Sequence, residues 1–573
     1  MNFLRKLPIG IQSFKDLREK NFLYVDKTEY LFRLVNNGKV YFLSRPRRFG
    51  KSLFLSTLAA YFLGQKELFK DLYLEKAEEE QARFEQRAAW EVYPVLYLDF
   101  NVGKYTDSGA LNERLHIMLC AEESVYGISP SKEEQPFFAS RFEKFLKIVY
   151  QQTGKQVVIL VDEYDKPLLQ TMGVNEELNE HYRNTLKAFY SVIKTCDQYI
   201  RFAFLTGVTK FSKISIFSDL NNLEDISLRN DYAGICGITE QELEQNFEPE
   251  IEALSIAEGL TRSKTLAALK KQYDGYLFAK AGVNVYNPFS LLSAFKAKDF
   301  GSYWFSTGTP TFLVNYLKEA HYFIPDLDGK VELNESGLDT YRAVTENALP
   351  ILFQSGYLTI IGYSKEARLY KLGFPNDEVR YGFLENLLPA YSGLPLGDTG
   401  KSVWQFVQDI REGKVDSFME RMKSIIAGIP YDNFTEENRT IRIAMDGDGS
   451  MQKQVCHANL QLKDVHGCTS LSKLREQNYQ TAVYLVFALM GQFVQTEVHC
   501  SSGRADCIVW TAETIYLFEF KLTGNGSAED ALNQIKEKEY AAKYQMDGKK
   551  VVLIGVGFDE QKRTIKDWQV AHG

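Results

Sequence analysis

Over the first 235 residues, short apolar runs alternate with stretches of helical periodicity. VYFLSRP (40–46), PVLYLDF (94–100), QVVILVDEY (156–164) and YIRFAFLTGV (199–208) read as strands, and the third is nearly continuous in apolar residues, as a strand buried on both faces requires. SLFLSTLAAYFL (52–63) and residues 139–152 carry the helical pattern between them. Strands spaced by helices of this size predict an α/β fold with a parallel sheet and crossover connections. Residues 236–310 read as mostly helical, with a YDGY turn at 273–276 and a break at Pro288. In 311–395 a helix precedes LFQSGYLTIIGY (352–363) and RLYKLGFPNDEVRYGFLENLL (368–388), an order compatible with a winged-helix unit. Residues 396–465 read as a helical connector, and 466–573 as helix, three strands, helix and strand, a smaller α/β domain.

Composition narrows the class without naming it. A chain of 573 residues has room for several domains of about 100–200 residues each. Its net charge of −8 excludes a broadly basic nucleic-acid binder, while leaving room for a local basic patch beside an acidic metal site. The seven cysteines (120, 196, 236, 456, 468, 500, 507) are odd in number and scattered, with no Cys-x-x-Cys, which fits a reduced, cytoplasmic protein. Residues 1–20 lack the apolar core of a secretory signal, and no run of ~20 apolar residues predicts a membrane span.

The first candidate site is Arg45-Pro46-Arg47-Arg48-Phe49-Gly50-Lys51-Ser52, between a predicted strand and a predicted helix. A phosphate loop wraps backbone N–H groups around an anion at a helix N-terminus; its lysine reaches the outer phosphates and its hydroxyl holds Mg²⁺. Gly50, Lys51 and Ser52 supply that end, with Arg47 and Arg48 as further phosphate contacts, but Arg45 stands where the consensus has its first glycine. A basic surface turn is the plain alternative. Asp162 and Glu163 follow at the C-terminal end of the QVVILVDEY strand, about 110 residues on. There Asp162 would contact Mg²⁺ and Glu163 would activate the attacking water. Thr206 ends the next strand, where a polar group can sense a γ-phosphate. Arg183 and Arg229 are conceivable phosphate contacts, with a solvated helix face the plainer reading of Arg183.

The second candidate site lies in RADCIVWTAETIYLFEFKL (504–522). Strand alternation puts Glu519 and Lys521 on one face, towards a neighbouring strand carrying Asp506. Two carboxylates brought together repel unless a cation lies between them, and Mg²⁺ or Mn²⁺ takes such oxygen ligands. Lysine beside them can orient or deprotonate a water, or stabilise phosphorane charge. A hairpin with a surface Glu–Lys pair is the plain alternative. The Cys and His residues of the C-terminal third lack the spacing of a zinc site and are read as ordinary buried thiols and chance histidines.

LPIGIQSF…NFLYVDKT (7–28), RPRRFGKS (45–52), LVDEYDKP (160–167) and FLTGVTKFSKISIFSDLNNL (204–223) resemble the AAA-ATPase-like family of bacterial proteins. Those proteins often carry a C-terminal domain of the PD-(D/E)XK nuclease superfamily, which residues 504–522 also resemble. The arginine at the first loop position is similar to the family's own form. The resemblance implies that Tyr24–Thr28 help define the nucleotide pocket, that Glu476 adds a carboxylate, and that Gln534 and Tyr540 form the downstream Gln/Tyr motif. Ala505 departs from the proline of the superfamily name, at a position that varies widely. The expected protein binds and hydrolyses ATP on residues 1–235 and cleaves nucleic acid, DNA ahead of RNA, on 466–573, with 236–310 as a helical lid. It has no membrane partner, and assembly into a homo-oligomer is admitted. The alternative is a nucleotide-driven switch whose C-terminal domain binds nucleic acid or a protein without cutting.

Overall fold

The computed structural model describes residues 5–572 except 131, 133–134, 173, 211–216, 218–219, 306–310, 320–321, 340–347, 430–441, 446–450, 455–470, 502–503, 523–525, 538–548, 560–561 and 563. It divides into two compact units, Met1–Thr309 with Asp326–Gly382, and Pro310–Pro325 with Phe383–Gly573.

The first unit is built on a five-stranded parallel sheet in the order β2-β3-β4-β1-β5. Its strands are β1 (Val40–Ser44), β2 (Val95–Asp99), β3 (Val157–Asp162), β4 (Ile200–Gly207) and β5 (Glu224–Asp225). All six residues of β3 are buried, which explains its unbroken apolar sequence. The helix Lys51–Phe62 leaves β1, and helices Ala110–Val125, Phe138–Thr153 and Glu176–Thr195 make the longer crossovers. β4 lies between β1 and β3, so the ends of these three strands meet at one edge of the sheet. β5 is too short, at two residues, to leave a pattern in the sequence.

Beyond the sheet, β6 (Ile238–Thr239) and β7 (Val285–Tyr286) form a small antiparallel pair. Helices Glu240–Asn246, Glu248–Glu258, Arg262–Tyr273 and Pro288–Ala297 pack Leu243, Phe247, Ile251, Leu269 and Phe295 into a separate core. Then β8 (Val331–Leu333), β9 (Thr359–Ser364) and β10 (Leu369–Gly373) make an antiparallel sheet in the order β8-β10-β9. The apolar start of LFQSGYLTIIGY is helical, within Leu349–Gln354, and only its second half is strand. All six residues of that short helix are buried, and an apolar run of that length does not distinguish helix from strand.

The second unit holds helices Thr399–Arg411, Val415–Ala427 and Leu471–Met490 and a hairpin of β11 (Arg442–Met445) and β12 (Met451–Gln454). Its main sheet runs β13 (Gln495–Ser501), β14 (Arg504–Trp510), β15 (Thr514–Leu522), β16 (Lys550–Asp559) and β17 (Thr564–His572) in sequence order. Only the β15–β16 pair is parallel, joined across the helix Ala528–Glu537. Phe487 on the long helix meets Phe518 at 5.0 Å and Phe418 at 5.6 Å, so two helices and the sheet share one aromatic core. β17 is a final strand that the sequence pattern did not suggest; it is an edge strand with mostly exposed residues, whose polar sequence carries little hydrophobic signal. Among the described residues no helix is long and apolar enough to cross a membrane. Cys120, Cys196, Cys236 and Cys507 are free thiols.

The YDGY turn is a tight crossing rather than a loop in solvent. Gly275 has φ +92°, and a Cβ there would meet the carbonyl oxygen of Pro375 at 2.0 Å. The neighbouring Asp274 is buried, its Oδ1 has no hydrogen-bond partner among the described residues, and burial pushes its carboxyl up to about 6. A carboxyl whose folded pKa is raised stabilises the fold below its unfolded value near 4, and that stability is lost as pH rises through about 6. Asp274→Asn removes this loss. The variant gains on wild type with rising pH, by up to ~3 kcal/mol at pH 8, as measured by urea denaturation at pH 4, 6 and 8.

Candidate functional site

At the end of β1 the chain leaves the sheet as Arg45–Gly50 and enters the helix Lys51–Phe62. Arg48 at φ 69° and Gly50 at φ 95° turn the loop through left-handed conformations, the means by which successive amides form a concave anion nest. Lys51 is buried, and its ammonium donates to the carbonyls of Arg45 (2.9 Å) and Pro46 (3.1 Å) inside the loop. Burial lowers its pKa, while Glu163, Asp162 and Asp165 push it back up. Gly50 and Ser52 lie at the start of the helix, and Arg47 and Arg48 are exposed on the loop.

Arg45 explains its own departure from the glycine consensus. Its guanidinium is directed into the protein, donating to the carbonyls of Ser44 (2.9 Å), Ser227 (2.8 Å) and Tyr232 (3.2 Å) and lying 4.3 Å over the ring of Phe278. Burial pulls it down to about 10. It is a cation in the framework of the loop.

The acid pair is reached across β4. Asp162 ends β3, buried, and Thr206 of β4 donates its hydroxyl to Asp162 Oδ1 at 2.8 Å. The hydroxyl that the sequence offered to a γ-phosphate is thus committed to Asp162. Glu163 has φ 50°, and burial raises its carboxyl, with Lys51 opposing the rise. Two further acids were missed. Asp99 ends β2 in register with Asp162, and the apolar run closed by Asp in LYLD repeats the pattern of LVD. Asp165 is fully buried, accepts from the N–H groups of Val208 (3.0 Å) and Thr209 (2.6 Å) and the Thr209 hydroxyl (2.7 Å), and so fixes the turn after β4. Burial raises its pKa.

Other expected contacts lie elsewhere. Arg183 is bonded to Glu180 (2.6 Å) and Asn179 (2.9 Å) on its own helix. Arg229 pairs with Glu224 and Asp231. Lys27 binds Glu242 (2.6 Å) and the carbonyl of Gly234 (2.8 Å), and Asp26 accepts from Thr28 and Tyr73, so the Tyr24–Thr28 segment ties neighbouring elements together.

In the second unit, Asp506 on β14 stands directly opposite Glu519 on β15, which places both carboxylates on one face. Glu519 is nearly fully buried, and Gln534 donates to its Oε1 at 2.5 Å. Lys521 follows on the same face, half-buried. His499 on β13 completes the row opposite Asp506, with its ring bonded to Glu497 at 2.6 Å. Glu476 lies on the helix Leu471–Met490, its side chain outside the described residues, as is Tyr540. Of the set-aside Cys and His cluster, Cys456, His457, His466 and Cys468 also lie outside them. Among the described residues no group of three or more His, Cys, Asp or Glu forms a metal cluster. The Asp506–Glu519 pair nevertheless suits a hard cation, since two oxygen donors across adjacent strands repel without one.

Gln534 reaches Glu519 because β16 carries a glycine. Gly555 is the register partner of Glu519, and a Cβ there would lie 2.2 Å from the carbonyl oxygen of Ala528 and 2.5 Å from the amide of Leu532. Gly555→Val forces the helix off the sheet. It lowers stability by about 1–3 kcal/mol in urea denaturation, more than Gln534→Ala, which removes the hydrogen bond without moving the helix.

Two family models match the chain: residues 8–217 match a predicted AAA-ATPase, and residues 474–568 match the PD-(D/E)XK nuclease superfamily. No solved structure matches. A protein of Azotobacter chroococcum mcd 1, named "Uncharacterized protein in vnfD 5'region", is 35% identical over 567 residues, covering 98% of each chain. With the P-loop and acid strand inside the first match and the Asp506–Glu519 pair inside the second, the chain belongs to the AAA-ATPase-like family and carries a PD-(D/E)XK nuclease superfamily domain at its C-terminus.

Proposed function

We propose that the protein binds and hydrolyses ATP in its first unit and, under nucleotide control, cleaves nucleic-acid phosphodiesters in its C-terminal domain. The observation that carries the reading is the cross-strand pairing of Asp506 with Glu519, with Gln534 bonded to Glu519 and Lys521 beside it.

At the nucleotide site, loop amides, Arg47, Arg48 and Lys51 hold the phosphates, and Ser52 and Asp162 would hold Mg²⁺. Glu163 takes a proton from the attacking water; burial makes its carboxylate a better acceptor, and Lys51 keeps it ionised. Thr206 and Asp165 keep Asp162 and the turn after β4 in place. At the nuclease site, Asp506 and Glu519 would hold Mg²⁺ or Mn²⁺, which supplies a Lewis acid for the phosphate. Gln534 fixes the Glu519 carboxylate, and Lys521 orients or deprotonates the water or meets phosphorane charge. DNA is the substrate set ahead of RNA. The scattered thiols support a cytoplasmic setting.

With Mg²⁺ or Mn²⁺, with and without ATP, wild type cuts single- or double-stranded DNA, Asp506→Ala loses cutting by about 100-fold or more, and Lys51→Ala cuts with an altered response to ATP. Glu163→Gln slows phosphate release by about 100-fold without loss of ATP binding. Wild type that hydrolyses ATP but cuts neither DNA nor RNA removes the nuclease reading and leaves a nucleotide-driven switch.

A further inference from the structure

The P-loop is also held by residues far away in sequence, and they converge on one buried carboxylate. Trp304 donates from its indole Nε1 to the carbonyl oxygen of Arg47 at 3.2 Å. Its backbone N–H donates to Glu378 Oε1 at 2.7 Å, and the Ser290 hydroxyl donates to Glu378 Oε2 at 2.7 Å. Ser290 adjoins Phe289, whose ring lies 5.0 Å from the guanidinium of Arg48. Glu378 and Trp304 are both buried. One carboxylate therefore gathers the two elements that touch Arg47 and Arg48.

The consequence follows from peptide geometry. No peptide bond in the described chain is cis, and in a trans peptide the C=O and N–H point in opposite directions. By holding the Arg47 carbonyl, Trp304 aims the Arg48 N–H away from itself, across the loop. Lys51 fixes two further carbonyls of the loop, those of Arg45 and Pro46. Amides oriented beforehand bind an anion more tightly than amides that must be ordered on binding.

We propose that Trp304 is a positioning residue that presets the Arg47–Arg48 peptide for the phosphates of a nucleoside triphosphate, and that Glu378 holds Trp304 in place. The inference rests on the nucleotide-binding reading above. Glu378 contributes through Trp304 and touches no ligand. Trp304 also packs against Tyr357 at 5.2 Å and Phe305 at 5.3 Å, so the test separates its N–H from its ring.

Binding of a fluorescent ATP analogue to the full-length protein is measured for wild type, Lys51→Ala, Trp304→Phe, Glu378→Gln, Glu378→Ala and the Trp304→Phe/Glu378→Ala double variant, with far-UV spectra as a check on folding. Trp304→Phe keeps an aromatic ring and loses the donor; it weakens binding about five- to tenfold, and turnover at saturating ATP changes less. Glu378→Gln stays within about twofold of wild type, since its amide oxygen still accepts from Trp304 and its NH₂ donates to Ser290. Glu378→Ala weakens binding as Trp304→Phe does, and the double variant is no weaker than either single one, because both act on the same peptide. A folded Trp304→Phe that binds as tightly as wild type overturns the proposal, and fully additive losses overturn the role of Glu378. Wild type that binds no nucleotide, like Lys51→Ala, instead overturns the nucleotide reading on which the inference stands.

Discussion

An ammonium removed from water must be satisfied by whatever surrounds it, and Lys51 is satisfied by the loop that carries it. Its two carbonyl acceptors, Arg45 and Pro46, are turned inward by that demand. Arg45 answers the same constraint in the other direction, with its guanidinium held by three carbonyls and a ring face. The loop is thus organised by two buried cations: Glu163, Asp162 and Asp165 at the neighbouring strand ends balance the charge of Lys51 through space, and Asp225 acts on that of Arg45. Charged groups in a low dielectric are held in fixed places because misplacing one is costly, and this gives the edge of the sheet a defined shape.

The second unit solves the complementary problem. There two acids are set side by side by strand register, and their neighbours are a lysine on one strand and an amide from a helix. Register is a strong constraint, since a slip of one residue would turn Asp506 and Glu519 to opposite faces. The apolar residues of β15, fixed in the aromatic core around Phe487 and Phe518, prevent that slip.

Much of this was legible in the sequence because the signals were local. Apolar runs marked β1 to β4, GKS marked a helix N-terminus, and Glu-x-Lys on a strand placed two side chains on one face. What was not legible depended on contacts between distant residues. Arg45 read as a defect in a motif because nothing nearby names Ser227, Tyr232 or Phe278 as its partners. Thr206 read as a ligand contact because the sequence does not show that Asp162 faces its hydroxyl. Trp304 and Glu378 carry no motif at all and lie more than 250 residues from the loop that Trp304 touches. β17 was missed because an exposed edge strand lacks the apolar pattern that reveals buried ones.

The parallel pairing of β15 with β16 has a consequence in time. Parallel neighbours require a crossover, and the crossover helix is the element that delivers Gln534 to Glu519. The helix can dock only once Gly555 is in place beneath it. During synthesis both acids and Gln534 leave the ribosome first, and the strand carrying Gly555, on which the helix docks, comes after them. The amide is thus seated at the end of assembly, so a chain truncated before β16 carries both carboxylates yet lacks the surface that sets one of them.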